Sequence, residues 1–252
     1  MKVFSLTLAA SLAATAVWTQ QKPPQIKSQK EAEAVMAIQN AADSDARIQA
    51  VENLLSKFAD TEYKAYALQT AAMSAQEKND YEKMVLYAER TLEADPKSYI
   101  AMLMMASGIP QRTREFDLDK EEKLGRAEKL AKDAMEELKI AVKLNPALPD
   151  EQWEAVKKDL QSQAHDALGM VALVRKKFDV AIEEFKASIG AGGSSDPATK
   201  VRLGTAYVGA GKNDEAIAAL DEVLADPQLN PVIRQYAQQE KKKAEAAKAV
   251  KK

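Results

Sequence analysis

The sequence predicts an all-α protein, and three observations carry the prediction. Gly and Pro number 9 each in 252 residues, well below the roughly 12% that the two make up in an average chain. Turn formers are therefore scarce. Ala, Lys, Glu, Leu and Gln fill the chain instead, which favours helix over a sandwich or barrel. Hydrophobic residues make up 46%, enough for a core and too many for wholesale disorder. Finally, two windows align without gaps at a spacing of 35 residues, Gly169 with Gly204 and Ala181 with Ala216.

Composition also excludes several chemistries. With no Cys, disulfides, thiolate catalysis, Fe–S clusters, Cys-based zinc sites and a lipid-modified N-terminal Cys are all ruled out. A single His rules out paired-His metal sites. The net charge of −2 balances 36 basic against 38 acidic residues, so no general attraction to nucleic acid is expected.

The chain opens on an export signal. Lys2 supplies the positive start, Val3 to Ala14 is apolar apart from Ser5, Thr7 and Ser11, and Ala14-Thr15-Ala16 is a small-x-small cleavage site. A membrane anchor needs about 20 apolar residues, and this run ends near Trp18. The reading is a signal peptide over 1–16, leaving a mature chain with no membrane span in a periplasm or outside the cell. Residues 17–29, with Pro23-Pro24, read as an extended linker.

Helical hairpins follow. Lys30 to Ala41 and Asp45 to Lys57 form the first, with Leu54, Leu55 and Phe58 as its apolar end and Ser44 or Asp45 as the cap. Tyr63 to Gln76 pairs with Tyr81 to Ala94, closed by Asp95-Pro96. Ser98 to Ser107 starts a third hairpin whose second helix arrives late, after an insertion near 108–120 that contains Gly108-Ile109-Pro110. Asp117 or Asp119 caps a long helix from Lys120 to Leu144, with Ala134 and Leu138 on its packing face and Asn145-Pro146 as its stop. Another long helix runs from Pro149-Asp150 to Val174. Leu168-Gly169 is then followed by Phe178, Ala181 and Phe185, and Leu203-Gly204 by Tyr207, Ala216 and Leu220. Short polar breaks, Arg175-Lys176-Lys177 and Gly209 to Asn213, separate the helices of each pair. From 229 to 252 a last helix caps the stack through Ile233, Tyr236 and Ala237, and beyond Gln239 a Lys-rich tail is expected to be solvated and fraying.

A period in the mid-thirties with Leu-Gly in one helix and Ala-x3-large in the next resembles the tetratricopeptide repeat, over residues 161–228 above all. With its insertion, the whole pattern is similar to exported bacterial proteins of that type. The resemblance implies a right-handed α-solenoid over 30–228. It implies close helix contact at Gly169, Ala181, Gly204 and Ala216, a capping role for the first hairpin, and a packing role for His165, which stands at the family's Trp position. It also implies a binding face. The fifth and ninth positions of each first helix would line the concave side: Gln69 and Met73, Ala101 and Met105, Asp166 and Met170, Val201 and Thr205. None of these pairs is the Lys and Asn that clamp a terminal carboxylate in the family's chaperone-tail binders. Three of the four ninth positions are Met, an adaptable side chain on surfaces that bind apolar segments. A groove lined by Met73, Met105 and Met170 is one reading; gap-filling side chains, like Met102 and Met104, are the other.

No catalytic constellation is present in the sequence. Gly190 to Gly193 lacks the strand and third Gly of a dinucleotide fingerprint, Gly211-Lys212 lacks the rest of a phosphate loop, and Asp117-x-Asp119 is too short for a calcium loop. The expected function is a non-catalytic scaffold for a protein or peptide partner, without cofactor, metal or nucleic acid, and with its oligomeric state open. The alternative is a binder of a small apolar ligand or lipid in the gap between the two long helices.

Overall fold

The computed structural model describes residues 24–143, 147–192 and 196–250. The expected leader, the first part of the linker, Asn145-Pro146 and Gly193 lie outside the described residues. Eleven helices are found among those described. They are α1 (Gln29–Gln39), α2 (Ser44–Lys57), α3 (Lys64–Glu77), α4 (Tyr81–Ala94), α5 (Tyr99–Arg112), α6 (Lys120–Ile140), α7 (Asp150–Val174), α8 (Phe178–Ala191), α9 (Pro197–Gly209), α10 (Asn213–Leu224) and α11 (Pro231–Val250). Each helix packs on the next, and from α3 onward each odd helix also touches the following odd one. The odd helices thus make a continuous inner layer, and the even helices are splayed along the outside.

Three hairpins turn in the same way. Asn79, Lys176 and Gly211 have φ of 56°, 60° and 71°, the left-handed conformation that ends many helices. The following amides reach back into the last turn of the preceding helix: Asp80 N to Ala75 O at 2.9 Å, Lys177 N to Ala172 O at 2.8 Å and Lys212 N to Tyr207 O at 2.9 Å. These bonds satisfy carbonyls that a helix end would leave unpaired. Of the three, only Gly211 adopts that φ without a Cβ penalty, which for other residues is about 1–2 kcal/mol. Lys176→Gly should therefore raise stability by about 0.5–1 kcal/mol, after loss of its exposed ion pair with Glu115. The gain should appear as a higher urea midpoint at unchanged slope.

The small residues at the repeat positions act as spacers. A Cβ at Gly169 would lie 2.6 Å from the Phe185 ring, and one at Gly204 would lie 2.6 Å from Leu220. Ala181, Ala216, Phe185 and Leu220 are fully buried. The nesting expected from the sequence is present, and His165 is part-buried across the same hairpin, with Nδ1 2.8 Å from Glu184 Oε2.

Several boundaries differ from the sequence reading. The cap of α2 is Asp43, whose carboxylate accepts from Ala46 N at 2.8 Å, while the Ser44 hydroxyl bonds Glu77 instead. Helix α5 does not stop at Ser107; it runs through Gly108 and Pro110 to Arg112. Gly108 is a packing glycine, because Met84 of α4 occupies the space of a Cβ. The insertion is thus divided: 108–112 continues α5, and 113–119 is the loop between α5 and α6. Helix α6 ends at Ile140, short of Leu144.

The two ends of the chain are tied in. The last part of the expected linker is fastened to the α2–α3 loop, with Gln25 N 2.8 Å from Glu62 Oε2 and Lys27 Nζ 2.7 Å from Asp60. Glu31 is buried and accepts from Thr61 Oγ1 and Lys27 N, each at 2.6 Å. These bonds, Thr61's foremost, hold its carboxyl below the usual glutamate range. The stability it contributes is present above the unfolded glutamate pKa and is lost as pH falls through the lower folded value. Melts from about pH 7 to about pH 3 should show α1 loosening in acid, and Glu31→Gln should flatten that dependence. At the other end, α11 does not fray after Gln239. Ala237, Glu240 and Ala244 are buried, and Lys241 pairs with Asp221 at 2.6 Å. Ala237, Glu240 and Ala244 recur at helical spacing on the face that packs on α9 and α10, and Lys243 pairs with the buried Glu240 at 2.5 Å.

Candidate functional site

The inner layer carries a cleft of about 390 Å³ where α5, α7 and α9 come together. Helix α7 supplies most of it. Asp159, Ser162, Gln163 and Asp166 are spaced i, i+3, i+4 and i+7, so they share one helix face. Ser107 closes the side from α5, and Ser188, Asp196 and Thr199 close it from the end of α8 and the start of α9. The lining has three carboxylates, three serines, a threonine and a glutamine.

Hydrogen bonds hold these groups in place. Asp166 accepts from Thr199 Oγ1 at 2.8 Å, and one Arg202 nitrogen lies 2.9 and 2.8 Å from its two oxygens. Asp166 therefore ties α7 to α9, at a side chain 18% exposed. Ser162 donates to the Ser188 carbonyl at 2.8 Å. Asp196 caps α9 by accepting from Ala198 N at 2.9 Å, ahead of Pro197 in the first turn. A parallel tie lies two units earlier, where Ser98 Oγ sits 3.2 Å from Gln69 Oε1 between α3 and α5. Such a rigid, hydroxyl-rich and acidic surface suits amide, hydroxyl and cationic groups better than an apolar segment.

The expected face residues divide accordingly. Gln69, Asp166, Met170 and Thr205 are half-buried on the inner layer, and Met73 is 46% exposed. Ala101 and Met105 are fully buried and Val201 nearly so, so these three cannot meet a ligand. For α5 the cause is register. Ala106 is the residue that packs against Ala131, Ala167 and Leu168, so α5 is displaced from the alignment on Leu103. The position matching Met73, Met170 and Thr205 falls on Ser107, which lines the cleft. Met105 packs with Met84, Tyr87 and Ala88 in the core, and Met170 leans on the cluster around Leu203. The continuous methionine groove is not formed.

The space expected between the long helices is filled. Ala134 and Leu138 of α6 meet Leu160 and Ala164 of α7 on top of Met102 and Leu103. No group of three or more metal-ligating side chains occurs among the described residues, and no described helix is long and apolar enough to cross a membrane. Of the eight lining residues only Asp166 was among the expected face residues. Asp159, Ser162 and Gln163 share its stripe on α7, ahead of the fifth position from which the face was counted. Ser107, Ser188, Asp196 and Thr199 come from α5, α8 and the start of α9, which no spacing within α7 records.

No protein-family model matches the chain, and no curated protein matches it. Among solved structures, the chain is similar to TTC0263, a thermophilic TPR protein of Thermus thermophilus. Identity is 17% over 83% of this chain and 98% of the other, with a TM-score of 0.55. It is also similar, at 12% identity and a TM-score of 0.42 over 86% of this chain and 97% of the other, to an assembly chaperone of RpL4, Acl4. With its repeated left-handed turns, nested Gly and Ala contacts and continuous inner layer, this chain is an all-α helical-repeat solenoid with the fold of the tetratricopeptide repeat.

Proposed function

We propose that the protein is a non-catalytic interaction scaffold, exported through its first 16 residues, that holds a segment of a partner protein on its concave side. One observation carries the reading. The inner layer is continuous, and its cleft between α5, α7 and α9 presents fixed carboxylates and hydroxyls. A preorganised polar surface loses little entropy on binding, and an extended peptide offers the amide and cationic groups that would complement it. The methionines are not the recognition element in this reading; Asp159, Asp166 and their neighbours are.

Fluorescent peptides that differ only in charge should bind in the order basic, neutral, acidic. Asp159→Asn combined with Asp166→Asn should weaken the basic peptide at least about tenfold while helicity survives. Equal binding of all three peptides, or indifference to the double substitution, rejects the cleft. Export is tested separately: the N-terminal sequence of protein isolated from its source cell should start at Val17, and a chain that keeps Met1 rejects it.

A further inference from the structure

Two features of the α5–α6 region take no part in the concave cleft. The first is the loop at 113–119. Phe116 and Leu118 are 91% and 107% exposed, as open as side chains can be, yet the loop is fixed. Asp117 N bonds Arg114 O at 3.3 Å, Asp117 Oδ2 accepts from Arg114 N at 3.1 Å, and Lys120 N bonds Asp117 O at 3.2 Å. Lys123 holds Asp119 at 2.9 Å and Asp117 at 3.3 Å, and Lys176 holds Glu115 at 2.5 Å. Glu115 and Asp119 stay half-exposed while paired, Asp117 is the more buried, and the two apolar side chains between them are presented to water. A rigid apolar knob of this kind has already lost the entropy that docking would cost.

The second feature is a pocket of about 380 Å³ beside that loop, between α4, α5 and α6. Tyr81, Val85, Gly108 and Ile109 give it apolar walls, Arg112, Lys123 and Arg126 give it a basic rim, and Glu82 is its one acidic lining group. Lys123 is engaged as above, and Arg126 pairs with Glu89 at 2.6 Å. Arg112 instead stacks on Tyr81, 5.4 Å from the ring centre, and makes no ion pair among the described residues.

We infer that these two features are the halves of one interface, and that the protein pairs with a second copy of itself by exchanging the 113–119 loops. Phe116 of each copy enters the pocket of the other, Leu118 covers its mouth, and the acidic loop faces the basic rim, with Arg112 as the cation that receives it. Knob and pocket are neighbours on one surface, sharing Thr113 and Lys123 at their junction. A two-fold pairing needs that arrangement, because one self-complementary patch must supply both partners. A membrane is the poorer occupant, since Glu115, Asp117 and Asp119 would meet anionic headgroups. The inference is independent of what the concave cleft holds.

Two apolar side chains per copy make a small interface, so the dimer should be weak, at the low end of stable contacts. Sedimentation velocity of the purified protein from about 1 µM to about 200 µM should show a rise from one chain to two. Phe116→Ser with Leu118→Ser should stay one chain throughout; both positions are exposed, so the fold is untouched. Val85→Trp, which fills the pocket, should also stay one chain with an unchanged helical spectrum. Mixing the loop variant with the pocket variant restores one of the two contacts, so a heterodimer should form more weakly than the wild-type dimer. If Val85→Trp fails to fold, Arg112→Glu with the loop variant serves as the second pair. A monomeric wild type at every concentration overturns the inference. So does a loop variant that dimerises normally, or a knob whose only measurable contact is with phosphatidylglycerol vesicles.

Discussion

Phe185→Ala is expected to cost about 3–5 kcal/mol, the range for removing a fully buried aromatic side chain. Phe185 has no exposure at all, and its ring lies against the backbone of Gly169, where any Cβ would collide with it. The ring closes the α7–α8 hairpin and joins it to Leu203, Ala206 and Tyr207 of the next unit. Chemical denaturation should show the loss directly. A double-substitution cycle identifies its cause. In the native protein Gly169→Ala gains roughly 1 kcal/mol of helix propensity but forces the ring aside, at a cost of about 1–3 kcal/mol. In the Phe185→Ala background the collision is gone and the propensity gain remains. The alanine should therefore stabilise the variant and not the parent. Additivity of the two substitutions would mean that the glycine is not a spacer.

Ala244→Glu is the second large effect, at about 2–4 kcal/mol, from overpacking and the burial of a charge. Ala244 is completely buried against the cluster of Ala206, Tyr207 and Ala216. A solenoid is a chain of nearest-neighbour contacts, so the damage should stay at the end of the stack. Hydrogen exchange should speed up in α9, α10 and α11 and remain unchanged in α1 to α5. Were residues 240–250 a solvated tail, the same substitution would have no effect. The comparison therefore also decides whether the last helix belongs to the fold.

The helical class, the hairpins from Tyr63 onward, their polar turns and the spacer glycines were legible in the sequence because each is a local rule. Small and large residues recurring at 35-residue spacing carry the resemblance to stacked tetratricopeptide helix pairs, and α4 runs from Tyr81 to its stop before Asp95-Pro96 as expected. Polar or lysine-rich stretches were harder. The stretch after Gln239 looked like solvent because lysines crowd it, at 241 to 243, 248, 251 and 252. Yet Glu240 and Ala244 fall on the one face that meets α9 and α10. Among the candidate contact residues, Met105 failed for a similar reason. A helix with buried residues on nearly every side, as α5 is from Ala101 to Ala106, carries no amphipathic stripe to set its register.

That this protein is a stack of helix pairs is written in its residues, because periodic burial and turn chemistry act between groups close in the chain. Which side chains face the inside of the stack is not written there; contacts between distant helices settle it. The cleft joins Ser107, Asp166 and Thr199 from three different helices, and their meeting depends on how far each helix slides along its neighbour. That offset is set by packing across the inner layer, on side chains such as Ala106, Ala131 and Ala167, which no spacing within a single helix records.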